Sequence, residues 1–524
     1  MRSTIGWDIG GVNTKAALVI DGTLQQVVTR PFELQRGPEL LSGLLVDMAA
    51  TLTTDAVAHG VTMTAELSQL FRTKRAGVHF VLDAIEHAFP GAAICVYTTD
   101  GSFVSLTAAR ERPLAVAAAN WFATASVVAR HHPDALLIDI GTTTADLIPI
   151  VGGRVVASGL TDPQRLASRE LVYSGAVRTP VEAIVHEVPL DHELAPVSAE
   201  GFALVGDAHV WLGTLAAADY DAATPDGRPS TREFAGERLA RVVCADREML
   251  DDAAIARIAH AVAGHQVEQI ATAIAHVRRR HPSLEIAIVT GLGAFIAERA
   301  ARQAGLQVAA LSSHLGSSGA RSAPAAAVAL LLGEAIGTLT VLKLGGSLLG
   351  NPGQWRATVA TIASFGASQR LVVVPGGGSF ADRVRWIDAE IGIGADGAHW
   401  MAIAAMDQHA EMIAGAPGFV RVTDLAGVIA AHARGEVPVI APLQWLRSVD
   451  PLPHSWNVTS DSIAAWLAGT LHATRLVLIK SDGASGVDIV DPYFGQALPP
   501  NLPYSITTAT GLARELTTPE PSRR

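Results

Sequence analysis

Apolar and polar positions set up a short rhythm at the very start of the chain. Ile5–Ile9 is apolar, Gly10-Gly11 interrupts it, the apolar stretch resumes over Lys15–Ile20, and Asp21-Gly22 is a two-residue hairpin signal. Thr4–Thr29 therefore reads strand, turn, strand, turn, strand. The rhythm returns at Leu136–Gly159: Leu136–Ile140 is a strand, Gly141–Thr144 a turn, Ala145–Val151 a strand and Gly152-Gly153 a hairpin turn. Asp8 corresponds to Asp139, Gly10 to Gly141 and Lys15 to Asp146. Such a duplicated hairpin predicts two similar lobes facing each other, the second starting near residue 134. The period is too long for a solenoid.

Further along, Glu285–Thr290 is an apolar strand ending in Gly291-Leu292-Gly293, and Ala294–Gln303 has a helical pattern. Ala323–Ile336 is a strongly apolar helix with Gly337 as its C-cap. A strand follows almost at once, at Thr338–Leu344, so the first domain is expected to end at residue 336 and to pack against a second, 338–515. That second half alternates strand and helix. Val341–Leu344 runs into Gly345-Gly346-Ser347 and a helix from about Gln354 to Phe365. Leu371–Val374 runs into Pro375-Gly376-Gly377-Gly378-Ser379 and another helix; Leu476–Ile479 precedes Ser481-Asp482-Gly483. This order predicts α/β architecture with a parallel sheet. A helix is expected over Trp400–Glu411, flanked by His399 and His409. Arg278-Arg279-Arg280 reads as a solvated helix end, and residues 516–524 as a disordered tail.

Composition narrows the classes. The 524 residues carry a net charge of −11, which argues against a general nucleic-acid binder. Charged residues are 17% and aromatics 5% of a chain that is 49% hydrophobic, so Ala and Gly carry the apolar fraction and most of the chain has a core to bury. The longest apolar stretches, Leu114–Ala129 and Ala323–Leu342, are broken by Asn120 and by Pro324, Gly333, Glu334 and Gly337, so no membrane-spanning helix is expected. Asp8 and the glycines beside it stand where a signal peptide needs its apolar core. Cys95 and Cys244 stand alone, without zinc spacing. The expectation is a cytoplasmic protein acting on small molecules.

The chemistry lies at the glycine turns. Asp8-Ile9-Gly10-Gly11-Val12-Asn13-Thr14-Lys15 places a carboxylate at a strand end, before a turn whose backbone N–H groups can cradle phosphate oxygens. Asp139-Ile140-Gly141-Thr142-Thr143-Thr144-Ala145-Asp146 repeats this with hydroxyls added. Together with Gly291 and Gly293, the two turns suit a magnesium–polyphosphate clamp between lobes. These features resemble the actin/hexokinase/Hsp70 superfamily, whose domains are two-lobed and RNase H-like. Met63-Thr64-Ala65-Glu66-Leu67 and Lys74-Arg75-Ala76-Gly77-Val78 resemble a signature of its hydantoinase/oxoprolinase branch, and within it the condensing enzymes of methanofuran biosynthesis. The resemblance covers about residues 1–336. It implies condensation of an aminomethylfuran-methyl diphosphate with γ-glutamyltyramine to an aryl ether, with release of diphosphate. Lys15 would neutralise the leaving group, Asp8 and Asp139 would hold Mg2+, and Asp146 or Glu66 would accept the phenol proton.

In the second half, Lys343-Leu344-Gly345-Gly346-Ser347, the loop at Gly376, Gly377 and Gly378, and Thr459-Ser460-Asp461-Ser462 together resemble the amino-acid-kinase superfamily, a parallel αβα sandwich. The resemblance implies that Lys343 contacts the transferred phosphoryl group, that the glycine loops bind phosphates and acceptor, and that Asp461 orients the charged groups. Asp461 also reads as a helix N-cap. Trp456-Asn457-Val458-Thr459-Ser460-Asp461-Ser462-Ile463-Ala464 and Ile479-Lys480-Ser481-Asp482-Gly483 are similar to the kinases that act on (5-(aminomethyl)furan-3-yl)methyl phosphate. This half is shorter than usual for the superfamily and its nucleotide loop is reduced, so Lys480 is expected to supply the second lysine charge. The combined expectation is a bifunctional transferase using ATP and Mg2+, with an oligomer through the kinase half as a further implication. Two other readings keep the folds: an ATP-dependent hydantoinase-type amidohydrolase fused to another small-molecule kinase, and a non-enzymatic nucleotide sensor.

Overall fold

The computed structural model describes residues 3–52, 58–220, 222–482 and 490–517. The first sheet holds β1 (Ser3–Ile9), β2 (Asn13–Ile20), β3 (Thr23–Pro31), β4 (Ala58–Met63), β5 (Ile94–Tyr97) and β6 (Phe103–Val104), in the order β3-β2-β1-β4-β5-β6. The second holds β7 (Ala135–Ile140), β8 (Ala145–Val151), β9 (Arg154–Val155), β10 (Leu171–Val172), β13 (Ile286–Thr290) and β14 (Gln307–Ala310), in the order β10-β8-β7-β13-β14 with β9 on β8. In each lobe a hairpin's first strand also pairs in parallel with a later strand, β1 with β4 and β7 with β13. The internal repeat in the sequence is thus a repeat of sheet topology.

Between β10 and β13 the second lobe carries an insertion. It contains the small sheet of β11 (Glu187–Leu190) and β12 (Glu193–Pro196), and an apolar core of its own around Val205, Leu239 and Ile258. Its buried Arg238 reaches Asp207 at 2.7 Å. The long helix Asp252–Arg280 leads out of it. Its basic end is solvated as the sequence suggested at Arg279 and Arg280, but Arg278 turns inward to donate to the carbonyls of Leu284 and Ala304, and Arg280 also pairs with buried Glu170 at 2.9 Å.

The apolar helix Ala323–Ile336 follows the second lobe in sequence yet packs on the first sheet. Thr4 Oγ1 donates to Ala329 O at 2.9 Å, and a Cβ on Gly6 would lie 2.1 Å from Ala325 O, so only glycine permits this approach.

The third sheet is wholly parallel: β15 (Thr340–Leu344), β16 (Leu371–Pro375), β17 (Phe419–Val422), β18 (Val437–Ile440), β19 (Arg475–Lys480) and β20 (Tyr504–Thr508), ordered β17-β18-β16-β15-β19-β20. Alternation sends Val341, Val372 and Leu476 into one core and Leu342, Leu371 and Val477 into another, so both faces are covered. The first of these cores is continuous with the first lobe. Leu425 and Ile429, on the helix Leu425–Ala433, share it with Tyr97, Phe103 and Leu331. Arg370 Nη1 donates to Glu334 O at 3.0 Å and to Ala335 O, tying the third sheet to the end of the preceding helix. The helix Ala395–Ala414 extends past both ends of the expected one, so His399 lies on it as His409 does. The last helix, Leu512–Thr517, buries Leu516; the rest of the expected tail and Gly483 lie outside the described residues. Among the described residues no helix is long and apolar enough to cross a membrane.

Candidate active sites

Strand register builds the first site. Asp8 faces Lys15 across β1 and β2, and Asp139 faces Asp146 across β7 and β8. Each turn closes the same way: Gly10 N–H donates to Asn13 O at 3.0 Å and Gly141 N–H to Thr144 O at 2.9 Å. A strap braces each turn. Leu34 N–H donates to Gly11 O in the first; Ala176 N–H donates to Gly141 O and Val177 N–H to Thr142 O in the second. A Cβ on Gly175 would sit 2.4 Å from Thr143 N, so the second strap needs glycine there. The loop after the neighbouring strand also docks equivalently, through Thr64 N–H on Ile9 O and Gly293 N–H on Ile140 O. Gly291 has φ +88° and lies against an Asp139 carboxylate oxygen. Gly11 faces open space, leaving its backbone accessible to a ligand, whereas Thr14 is buried beneath the turn.

The cleft concentrates buried acid. Burial raises the Asp8 carboxyl despite Lys15, and its Oδ1 has no hydrogen-bond partner among the described residues. Burial, with the nearby Asp146 charge, pushes Asp139 up to about 7 against the pull of Lys15. An oxygen-preferring divalent cation would relieve both carboxylates, so Asp8 and Asp139 fit the expected Mg2+. Asp146 is engaged elsewhere: Arg165 reaches it at 2.7 Å, itself buried and stacked 4.0 Å over Trp121. Glu66 differs. It is buried with neither carboxylate oxygen hydrogen-bonded among the described residues, and burial pushes it up to about 7. Lys74 stands 3.9 Å away but is bound to Asp162 of the other lobe at 2.5 Å. Lys74 belongs to the signature stretch, but no sequence signal marks Arg165 or Asp162 for this cleft.

The second site forms where β15, β19 and the helix Ser460–Thr470 converge. Lys343 Nζ lies 2.7 Å from Asp461 Oδ1, and Lys480 Nζ 2.8 Å from Oδ2. Burial pulls the Lys343 amine below its ordinary range although Asp461 opposes this. Burial alone would raise Asp461, but the two lysines outweigh it and hold the carboxyl low. The glycine loops interlock: a Cβ on Gly346 would meet Gly378 N at 2.2 Å, and Gly378 has φ +55°. Gly345 N–H donates to Ile479 O and Gly376 N–H to Leu344 O, while Ser347 Oγ meets Ser481 Oγ at 3.2 Å. Gly377 packs on Ala381. Buried His409 lies beneath the loop, its Nδ1 2.6 Å from Gly376 O, while Trp355 Nε1 donates to its Nε2. Asp461 is not the helix cap. Thr459 holds that position, and Asp491 accepts hydrogen bonds from Thr459 N–H and Ser462 N–H, both at 3.0 Å. That frees Asp461 for the lysines. A cavity of about 300 Å³ adjoins the loops, lined by Gly346, Gly378, Arg385, His399, Trp456 and Ser460 among others.

Residues 57–335 match the hydantoinase/oxoprolinase family, more than half the chain. The chain belongs to the hydantoinase/oxoprolinase family. Residues 338–484 of this hydantoinase/oxoprolinase protein match the amino acid kinase family. Its first half is similar to a (4-{4-[2-(gamma-L-glutamylamino)ethyl]phenoxymethyl}furan-2-yl)methanamine synthase of Methanocaldococcus jannaschii, 35% identical over 290 residues, 55% of this chain and 86% of the relative. Its second half is similar to a [5-(aminomethyl)furan-3-yl]methyl phosphate kinase of the same organism, 32% identical over 143 residues, 27% of this chain and 65% of the relative. Among solved structures, a ROK hexokinase from Thermus thermophilus aligns at 14% identity and TM-score 0.31, covering 63% of this chain and 97% of its own. A uridylate kinase from Archaeoglobus fulgidus aligns at 18% and 0.26, covering 34% and 94%. The hydantoinase/oxoprolinase protein is a transferase with a synthase-like and a kinase-like half.

Proposed function

We propose that the protein performs two successive steps of methanofuran biosynthesis. The kinase half transfers the γ-phosphoryl group of ATP to (5-(aminomethyl)furan-3-yl)methyl phosphate, giving the diphosphate and ADP. The synthase half joins that diphosphate to γ-glutamyltyramine: the furylmethyl C–O bond to diphosphate breaks, a C–O bond to the phenol forms, and diphosphate and a proton leave. The observation that carries the reading is that one chain unites relatives named for a furylmethyl phosphate kinase and for a synthase of a furylmethyl aryl ether. Phosphorylation creates the leaving group that the ether synthesis needs.

In the kinase half, Lys343 and Lys480 neutralise charge on the transferring phosphoryl group, held in place by Asp461. N–H groups of the glycine loops cradle the phosphates, apart from those of Gly345 and Gly376, which hold the loops to Ile479 O and Leu344 O. In the synthase half, Asp8 and Asp139 would hold Mg2+, which supplies charge neutralisation to the diphosphate. Lys15 adds to this from the facing strand, and the turns running through Gly11 and through Thr142, Thr143 and Thr144 provide backbone donors, while the Gly10 and Gly141 N–H groups close those turns. The furan oxygen delocalises the developing furylmethyl cation, so much of the protein's work is to orient the phenol and stabilise departing charge. Glu66 takes the phenol proton, because Asp146 is held by Arg165 while both Glu66 oxygens are uncommitted.

The test is product analysis by mass spectrometry with purified protein, ATP, Mg2+, the furan monophosphate and γ-glutamyltyramine. The reading expects ADP, diphosphate and the aryl ether together. ATP hydrolysis with no ether, or an amide-cleavage product, would replace it with the amidohydrolase alternative.

A further inference from the structure

The cavity beside the kinase glycine loops has two unlike ends. One is made by Gly346, Gly378 and Ser460, next to the Lys343–Asp461 pair. The other includes His399, on the helix Ala395–Ala414. His399 is 8% exposed and makes no hydrogen bond among the described residues, although it lines the cavity. Its ring stacks on His454 with centroids 4.2 Å apart. His454 is held between two carboxylates, Nδ1 2.6 Å from Asp396 and Nε2 2.9 Å from Asp450. Each of its nitrogens faces a carboxylate oxygen, which only accepts, so both donate, and these hydrogen bonds raise its pKa; burial and the neighbouring His454 hold His399 down at about 4 and keep it neutral. A ring nitrogen of His399, one of His454 and an Asp450 carboxylate oxygen lie within 4.8 Å of one another.

We infer that His399 and Asp450 form a subsite for a primary ammonium group on the kinase acceptor, positioned by His454. This rests on the kinase reading above and deepens it. A neutral imidazole offers one lone pair and a carboxylate offers several, and an ammonium offers three donors. Atoms lying within 4.8 Å of one another are close enough to share one ammonium through hydrogen bonds of about 2.8 Å. Charge agrees. The groups tied to this wall by hydrogen bond, ion pair or ring contact are Asp382, Asp388, Asp396 and Asp450 against Arg385, Arg447 and His454. One negative charge is left over, which a monocation balances. Trp456, fixed by its Nε1–H donated to Asp388 at 2.8 Å, offers a flat wall for a ring between the two ends. A phosphate at the glycine loops and an ammonium at His399 would orient such an acceptor one way round only.

The experiment compares kcat/KM of the full chain, with Mg2+ and ATP, for (5-(aminomethyl)furan-3-yl)methyl phosphate and for its 5-methyl counterpart, which lacks the amine. Wild type should favour the amine by about 10-fold or more, the scale of a charged hydrogen bond. His399→Ala and Asp450→Asn should collapse that ratio toward one through KM for the amine. His399→Gln, which keeps an acceptor, should restore part of it. Equal loss on both acceptors, or a wild-type ratio near one, would overturn the subsite while leaving the kinase reading intact. So would stoichiometric metal in the purified protein that disappears in His454→Ala, because the cluster would then be a metal site. A wild type that phosphorylates neither furan would overturn the kinase reading itself, and the subsite with it.

Discussion

The two hairpins of the first half share register, turn closure and bracing, yet differ at the positions where chemistry is decided. Opposite Asp8 stands Lys15; opposite Asp139 stands Asp146, whose charge is met by Arg165 from outside the repeat. After the neighbouring strand, the first lobe carries buried Glu66 and the second carries Gly291 and Gly293. The first lobe thus keeps a cation and an uncommitted acid at the cleft. The second lobe spends its charge internally and presents glycine. The shared topology places a carboxylate and a glycine turn at the same point in both lobes, and on the proposed reading the differing neighbours give the first lobe the reactive part and the second a supporting one.

The comparison can be broken at several points. Asp8→Asn and Asp139→Asn should each lower ether formation by about 100-fold or more while phosphorylation continues and the furan diphosphate accumulates. A large loss from only one of them would mean that the lobes do not share a cation. Glu66→Gln should slow condensation by about 100-fold, whereas Asp146→Asn should act mainly on stability. Burial pushes the Glu66 carboxyl up to about 7, and a carboxyl in the proposed base role acts only when ionised, so the wild-type condensation rate should climb with pH through 7. Glu66→Gln should flatten that rise; an unchanged pH profile would remove Glu66 from the base role. The smallest effect on rate should come from Arg165→Met. It leaves the partly buried Asp146 without its partner, at a cost of about 2–3 kcal/mol in a urea unfolding curve.

Local rules made the hairpins legible. Period-two alternation and glycine turns are short-range signals, and the match of Asp8 with Asp139 follows from aligning two such turns. The strand–glycine–helix order of the second half was legible for the same reason, and resemblance to known kinases supplied Lys343, Asp461 and Lys480. What escaped were contacts between positions far apart in the chain: Lys74 with Asp162, Gly175 under Thr143, Asp491 on the helix at Ser460, and His409 under Gly376. No periodicity marks such pairs, since tertiary packing alone brings them together. The N-cap assigned to Asp461 shows the limit of local reasoning: the right residue type was present, but Thr459 and Asp491 fill the role.

On the proposed reading two separate sites act in sequence, and the leaving diphosphate alone drives condensation. The Lys343→Ala protein, checked for folding by circular dichroism, separates the two sites. The protein is given synthetic furan diphosphate, γ-glutamyltyramine and Mg2+ with all nucleotide omitted, and ether and diphosphate are quantified. The account predicts one diphosphate released per ether at close to the wild-type rate, and no ether when the same variant receives the monophosphate and ATP. A folded variant that cannot condense, or a strict requirement for ATP, would contradict it.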